Sequence, residues 1–357
     1  MFQSVEDGSA VVSQIPVSPF VPIQHNRIDV TTVNRIANFG LRFALENGWL
    51  RRKLTSGADH NGTGPQSGVF VDLPSDVTTF YAGVDAELAE GTPQFDGAAT
   101  PANMFFYARF WISHIGTSSN MVLARLSHYK AGEDTQMVPL GTFRLAVVHV
   151  SRTTRKPVPI PGERLQIMRA LLAMNSEASK LPAVERIDVK EVMNGYASIA
   201  QSHSCDETRQ SLPTHSTAAP LKCAYVRDFQ LRDTDIDHNR HVNQMVQMQL
   251  VVNTFRSAMA DAGTVFPRLL DDGVEPLVSD LLLRRLRIDY VREISMEQEK
   301  VRVTLFFLDE ASCEAIVGSA CGKRHGRAVE LWFVIQTDPS QKNEAYVAAV
   351  GKVFVYC

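Results

Sequence analysis

Residues 233–244, DTDIDHNRHVNQ, gather three carboxylates, two imidazoles and three carboxamides into one short stretch. Asp237, Asn239 and His241 stand at two-residue steps, so an extended backbone puts all three on one side and lets them converge. A carboxylate beside an imidazole can orient and deprotonate a water, while an amide holds that water or a carbonyl oxygen. Taken without context, Asp233, Asp235 and Asp237 would be an acidic helix start, each charge worth about 0.3–1 kcal/mol against the helix dipole. Metal binding is disfavoured, because His238, His241 and the acids show neither HExxH nor paired-histidine spacing. Nucleophilic serine or cysteine chemistry has no support: there is no GxSxG elbow, and no cysteine has a histidine partner in sequence.

The element that must position these groups follows at once. HVNQMVQMQLVVNTFRSAMADAG predicts a long helix over 242–262 that stops at Gly263. Val242, Met245, Val246, Met248, Leu250, Val251, Val252 and Phe255 make it apolar nearly all round, which marks a buried helix. Its β-branched valines cost helix propensity, so packing has to hold it. A buried helix has a buried N-terminus whose N–H groups need partners, from Asn239, Asp237 or a ligand oxygen. Those donors and the dipole suit a polarised carbonyl, and a thioester placed there would find an oxyanion site with a carboxylate nearby.

The wider pattern repeats. After AYVRDFQLRD and the helix come LLLRRLRIDYVREI, KVRVTLFFLDE, AVELWFVIQTD and AVGKVFVYC, read as strands. In the first half VPIQHNRIDV leads into VNRIANFGLRFALENG, expected to end at Gly48, and then into FFYARFWISHIG, NMVLARLSHY and GTFRLAVVHVS. A stretch from about 175 to 221 holds a short possible helix and a Ser/Thr/His/Pro-rich run that reads as a linker. The expectation is an α+β protein with repeats at 1–175 and 222–357 and a linker at 176–221, each repeat a helix wrapped by an antiparallel sheet. Laying Val33-Asn34 over Val242-Asn243 puts Ile28, Val30 and Thr32 opposite Asp237, Asn239 and His241, so the first repeat has lost the polar group. Laying ARFWISHIG over LRIDYVREI puts His114 and Ser118-Ser119 near the counterpart of Glu293, where a strand-end role is the bland reading.

A net charge of −3 with no long basic run argues against nucleic acid, and no apolar run is long enough to span a membrane. The N-terminus does not read as a secretory signal, and five cysteines without CxxC spacing read as scattered reduced thiols. A cytoplasmic protein is expected, with organellar delivery left open.

The pattern Arg232, Asp235, Asp237, Asn239, His241, Val242, Asn243 leading into a long helix resembles that of the double hot-dog acyl-ACP and acyl-CoA thioesterases, plant and bacterial. Their next strand carries a Tyr-Arg-Arg-Glu-type segment, and Tyr290-Val291-Arg292-Glu293 is similar to it. The resemblance implies a double hot-dog fold, thioester hydrolysis within fatty acid metabolism, and Asp237, Asn239, His241 and Glu293 as the catalytic group. It implies substrate contacts around the helix start from Val242, Asn243, Gln244, Gln247 and Tyr290, with no cofactor and no metal. The partner would be acyl-CoA or an acyl carrier protein, and the chain a monomeric pseudo-dimer or a homodimer. Gln244 and Gln247 depart from the family's Asn and Tyr along the acyl path. Another acyl-thioester enzyme of this fold (acyltransferase, decarboxylase or dehydratase) or a non-catalytic carrier-binding protein stays open beside hydrolysis. The usual Asp-x4-His of the dehydratases is absent, because position 236 is Ile.

Overall fold

A computed structural model describes residues 1–4, 7–17, 20, 28–51, 71–90, 104–130, 137–175, 186–204, 222–237, 240–269, 283–308, 328–337 and 345–356. The chain divides into two compact units, Met1–Val184 and Glu185–Cys357.

The N-terminal unit contains β1 (Phe2–Ser4), β2 (Ala10–Pro16), α1 (Val30–Glu46), β3 (Val77–Leu88), β4 (Met104–Ile115), β5 (Ser119–Lys130), β6 (Val138–Ser151) and α2 (Gly162–Met174). Its strands run in the order β1-β2-β4-β5-β6-β3, and every pairing recorded within the unit is antiparallel. Helix α1 starts where Asp29 accepts hydrogen bonds from the Thr32 N–H (2.7 Å) and from the Thr31 and Thr32 hydroxyls, a full capping box. Val33, Ile36, Ala37, Leu41 and Ala44 then recur at helical spacing and are buried against the sheet. Small residues let the layers close: a Cβ on Gly40 would come within 2.9 Å of the Phe110 ring.

The C-terminal unit contains α3 (Val189–Ser204), β7 (Ala224–Gln230), α4 (Gln244–Met259), β8 (Leu283–Tyr290), β9 (Lys300–Phe306), β10 (Ala328–Thr337) and β11 (Val347–Tyr356). Its strand order is β8-β11-β10-β9-β7. The register sorts side chains by the strand period: Phe306, Trp332, Val334 and Val350 meet Val192 and Ile199 of α3 on one face. The alternate residues Val301, Val303, Leu305, Phe333 and Ile335, all 0–1% exposed, line the other face, and α4 packs against β9 and β7. Burying each such side chain stabilises by about 1.5–3 kcal/mol, which is what holds a valine-rich helix together.

Reduced to connectivity, both units follow one plan. The order β2-β4-β5-β6-β3 around α1 is the order β7-β9-β10-β11-β8 around α4. The first strand after the helix is therefore β3 in one unit and β8 in the other, not β4 and β8 as the sequence overlay had it. β3 escapes a periodicity search because VTTFYAGVDAEL does not alternate: its burial runs unevenly along the strand. Helices α2 and α3 were also not resolved as full elements by the sequence reading, and α3 falls inside the stretch read as a linker. Cys223 is disulfide-bonded, which corrects the reading of all five cysteines as reduced thiols. Among the described residues no helix is long and apolar enough to cross a membrane.

Candidate active site at the start of α4

The segment before α4 is folded back on itself by hydrogen bonds its own residues supply. A 3-10 turn at Asp233–Asp235 is closed by Asp235, whose carboxylate accepts from the Arg232 N–H (2.9 Å) and guanidinium (3.0 Å). The Asp235 carbonyl accepts the Asn243 N–H at 2.9 Å, and the Asp237 N–H reaches the His241 carbonyl at 2.8 Å. Within that loop the Arg240 N–H donates to the Asp237 carbonyl, and Arg240 takes a left-handed φ of 65°. Asp237 also uses its carboxylate locally: Oδ1 accepts the backbone N–H of His241 at 3.2 Å.

Past the end of β8 a second segment lies alongside. The Ile294 carbonyl accepts the Val242 N–H (2.8 Å), the Met296 N–H donates to the Arg240 carbonyl (3.0 Å), and His241 bridges Ser295. This short ladder sets Glu293 opposite His241, with Nδ1 3.4 Å from Oε1. Both side chains stay partly accessible, 22% and 36% exposed, so water reaches them. Glu293 is fixed from behind by its own carbonyl, which accepts the Tyr346 hydroxyl at 2.7 Å, and Arg292 lies over the Tyr346 ring. The sequence placed Glu293 on the strand; it stands three residues beyond β8, in the turn.

Helix α4 begins at Gln244, two residues later than expected, because Asn243 is its cap: Oδ1 accepts the Met245 N–H at 2.8 Å. It ends at Met259, and Ala260, not Gly263, is the C-cap. The Tyr290 hydroxyl donates to the Gln244 carbonyl (3.3 Å), tying the end of β8 to the helix start. Gln247 is buried, with Nε2 donating to the Val242 carbonyl at 3.3 Å. The structure thus gathers Asp237, His241, Val242, Asn243, Gln244, Gln247, Tyr290 and Glu293 at one helix N-terminus. Asn239 and His238 lie outside the described residues.

No protein-family model matches the chain, and no curated protein matches it in sequence. Solved structures do match. A protein described as an oleoyl thioesterase from Lactobacillus plantarum superposes with a TM-score of 0.51 at 14% identity, covering 98% of this chain and 96% of that one. An acyl-ACP thioesterase from Bacteroides thetaiotaomicron gives a TM-score of 0.51 at 13% identity, with 98% of each chain covered. The fold is the double hot-dog.

Comparing the two hot-dog repeats by structure changes the internal alignment. The cap of α1 is Asp29 and that of α4 is Asn243, so Val30 and Thr32 lie inside a helix and cannot be counterparts of Asn239 and His241. Matching the caps puts Ile23, His25 and Arg27 there instead, all outside the described residues. The Asp, Asn and His set is still not reproduced. His114 belongs to β4, Ser118 to the turn after it and Ser119 to the start of β5, whereas the counterpart of the Glu293 turn follows β3. The sequence reading also missed Ser295, which pairs with His241, and Tyr346, which holds Glu293. Neither carries a local signal, since what matters is a cross-strand bridge and a hydroxyl arriving from a distant segment.

Proposed function

We propose that the chain is a hydrolase of acyl thioesters carried on coenzyme A or an acyl carrier protein, acting at the start of α4. The observation that carries the reading is the His241–Glu293 pair, 3.4 Å apart, beside a partly buried helix N-terminus. Glu293 holds the Nδ1–H edge of His241, which leaves Nε2 to take a proton from water. That water attacks the thioester carbonyl carbon. The carbonyl oxygen, now an oxyanion, is stabilised at the N-terminus of α4, where the dipole is positive. Collapse of the tetrahedral species breaks the carbon–sulfur bond, and His241 returns the proton to the thiolate. Free acid and thiol leave.

In this reading Asp237 is a positioning residue: its carboxylate accepts the His241 N–H and shapes the turn. Asn243 and Tyr290 are also positioning residues, since their polar groups hold the helix start. Gln244 and Gln247 face the acyl group, and Asn239 holds the carbonyl or the water. The double hot-dog fold, shared with structures described as an oleoyl thioesterase and an acyl-ACP thioesterase, supports the proposal.

The test is thiol release from a panel of acyl-CoA and acyl-carrier-protein substrates spanning chain lengths. Wild type should release thiol from at least one, and Glu293→Gln should not. If no substrate yields thiol, hydrolysis is the wrong reaction; if Glu293→Gln keeps full activity, the pair is not the catalytic unit.

A further inference from the structure

Gln247 is a polar side chain that the start of α4 buries without completing its hydrogen bonds. It lies in the first turn of the helix, and its backbone N–H donates to the carbonyl of the Asn243 cap at 3.1 Å. The residue is 5% exposed. Its Nε2 donates to the Val242 carbonyl at 3.3 Å, which settles which way the amide is turned and leaves the oxygen as the other end. That oxygen, Oε1, accepts from no group among the described residues. A buried amide oxygen without a donor has given up its bonds to water for nothing, and folded proteins keep few such atoms.

The place of the amide says what kind of donor is missing. Helical side chains lean toward the N-terminus, and the bond to Val242 carries the Gln247 amide back past the cap, to the residue that follows His241. The polar groups beside it do not supply the donor. In the proposed catalytic arrangement His241 turns Nδ1–H to Glu293, so its other ring nitrogen is an acceptor, and the Tyr290 hydroxyl gives its proton to the Gln244 carbonyl. One turn further along, the helix is apolar. Leu250 and Val251 are buried, and the Thr254 hydroxyl donates to the Leu250 carbonyl at 2.8 Å. An unmet acceptor thus stands next to the thioester end of the site, and apolar helix surface follows it.

We propose that Gln247 selects acyl chains bearing a hydroxyl group within the first few carbons of the thioester carbonyl, with an aliphatic tail beyond. The hydroxyl donates to Oε1 and completes the amide, whereas an unsubstituted chain leaves that oxygen buried and unpaired. A keto group on the same carbon brings no donor and sets an acceptor against an acceptor. Selection comes from what the wrong chain leaves unpaired, as when a polar pocket rejects an analogue that lacks one hydroxyl. The inference rests on thioester hydrolysis at the start of α4 and names the substrate class of that site.

The experiment measures kcat/KM of the full chain on thioesters matched in length and carrier: unsubstituted, 2-, 3- and 4-hydroxyacyl, and 3-oxoacyl. One hydroxylated series should exceed the unsubstituted chain by about 10–100-fold, and the keto series should not share the gain. Gln247→Met, close in shape and without the acceptor, should bring the ratio of hydroxylated to unsubstituted chains to about one. The keto arm needs no variant, so it decides if Gln247→Met does not fold. Hydroxylated chains cleaved no faster than unsubstituted ones overturn the selection and leave hydrolysis standing, with Oε1 bonded to a buried water. A keto chain that gains as much as a hydroxylated one overturns it too, as does a ratio unmoved in Gln247→Met. If no thioester is cleaved, hydrolysis is wrong, and calorimetric binding of the same chains on coenzyme A decides the selection. Tighter binding of a hydroxylated chain then keeps it, and equal or absent binding overturns it.

Discussion

His241 Nδ1 lies 3.4 Å from Glu293 Oε1, and the contact exists only because residues 240–242 and 294–296 are hydrogen-bonded side by side. That separation is long for a hydrogen bond and within reach of one after a small side-chain rotation. Two residues that act as a unit should lose activity together. Glu293→Gln and His241→Gln should each lower kcat by roughly 10²–10⁴-fold, and the double variant should lose little more than either alone. Steady-state kinetics on the best thioester substrate reads this. Fully multiplicative losses would show the two residues working separately.

The two helix caps make a matched pair. Asn243→Ala removes the acceptor for the Met245 N–H, and Asp29→Ala removes the acceptor for the Thr32 N–H and two hydroxyls. Each should cost about 0.5–2 kcal/mol in denaturant unfolding, with the larger loss at Asp29. Asn243→Asp, which keeps the cap oxygen, should recover most of the stability. Activity should fall with Asn243→Ala and not with Asp29→Ala, since only the first displaces the start of α4.

Gly351 sits on β11 where a Cβ would collide with the Phe333 ring and the Arg287 carbonyl. The carbonyl is backbone and cannot swing away, so Gly351→Ala must push apart strands β8 and β11. A loss of about 2–4 kcal/mol is expected by urea unfolding, in the range of core overpacking plus a disturbed ladder. A stability within about 0.5 kcal/mol of wild type would show that the strands can part without cost.

Burial lowers the His149 and His128 imidazoles below their ordinary value of 6.5. The unfolded chain therefore takes up protons near 6.5 while the folded chain does not. Stability is complete above that pH and declines as pH falls below it, by up to about 1.4 kcal/mol per pH unit for each histidine. His149→Gln should flatten part of this decline, measured as Tm between neutral and mildly acidic pH. An unchanged slope would place the acid sensitivity elsewhere.

Much of the site was legible from local pattern. Two-residue steps of polar residues before an apolar run at helical spacing identify Asp237 and His241 as neighbours of the start of a helix whose body is buried. The strand sequences of the C-terminal half mark a sheet around it, because burial of one face imposes a period that a single chain displays. The overlay of the halves failed at β3 and at the helix caps. A strand whose two faces are unevenly buried has no period to detect, and a cap is defined by which side chain bonds to which N–H. The division of labour between Asp237 and Glu293 was beyond the sequence for the same reason. Their types are alike, and only tertiary structure turns one carboxylate onto the backbone of His241 and the other onto its ring. The same holds for His149 and Arg164, ordinary residues in sequence, which the fold buries with both imidazole nitrogens of the first and Nε of the second lacking partners. Composition and periodicity determine which segments must be buried; which polar groups are stranded there depends on contacts between residues distant in the chain.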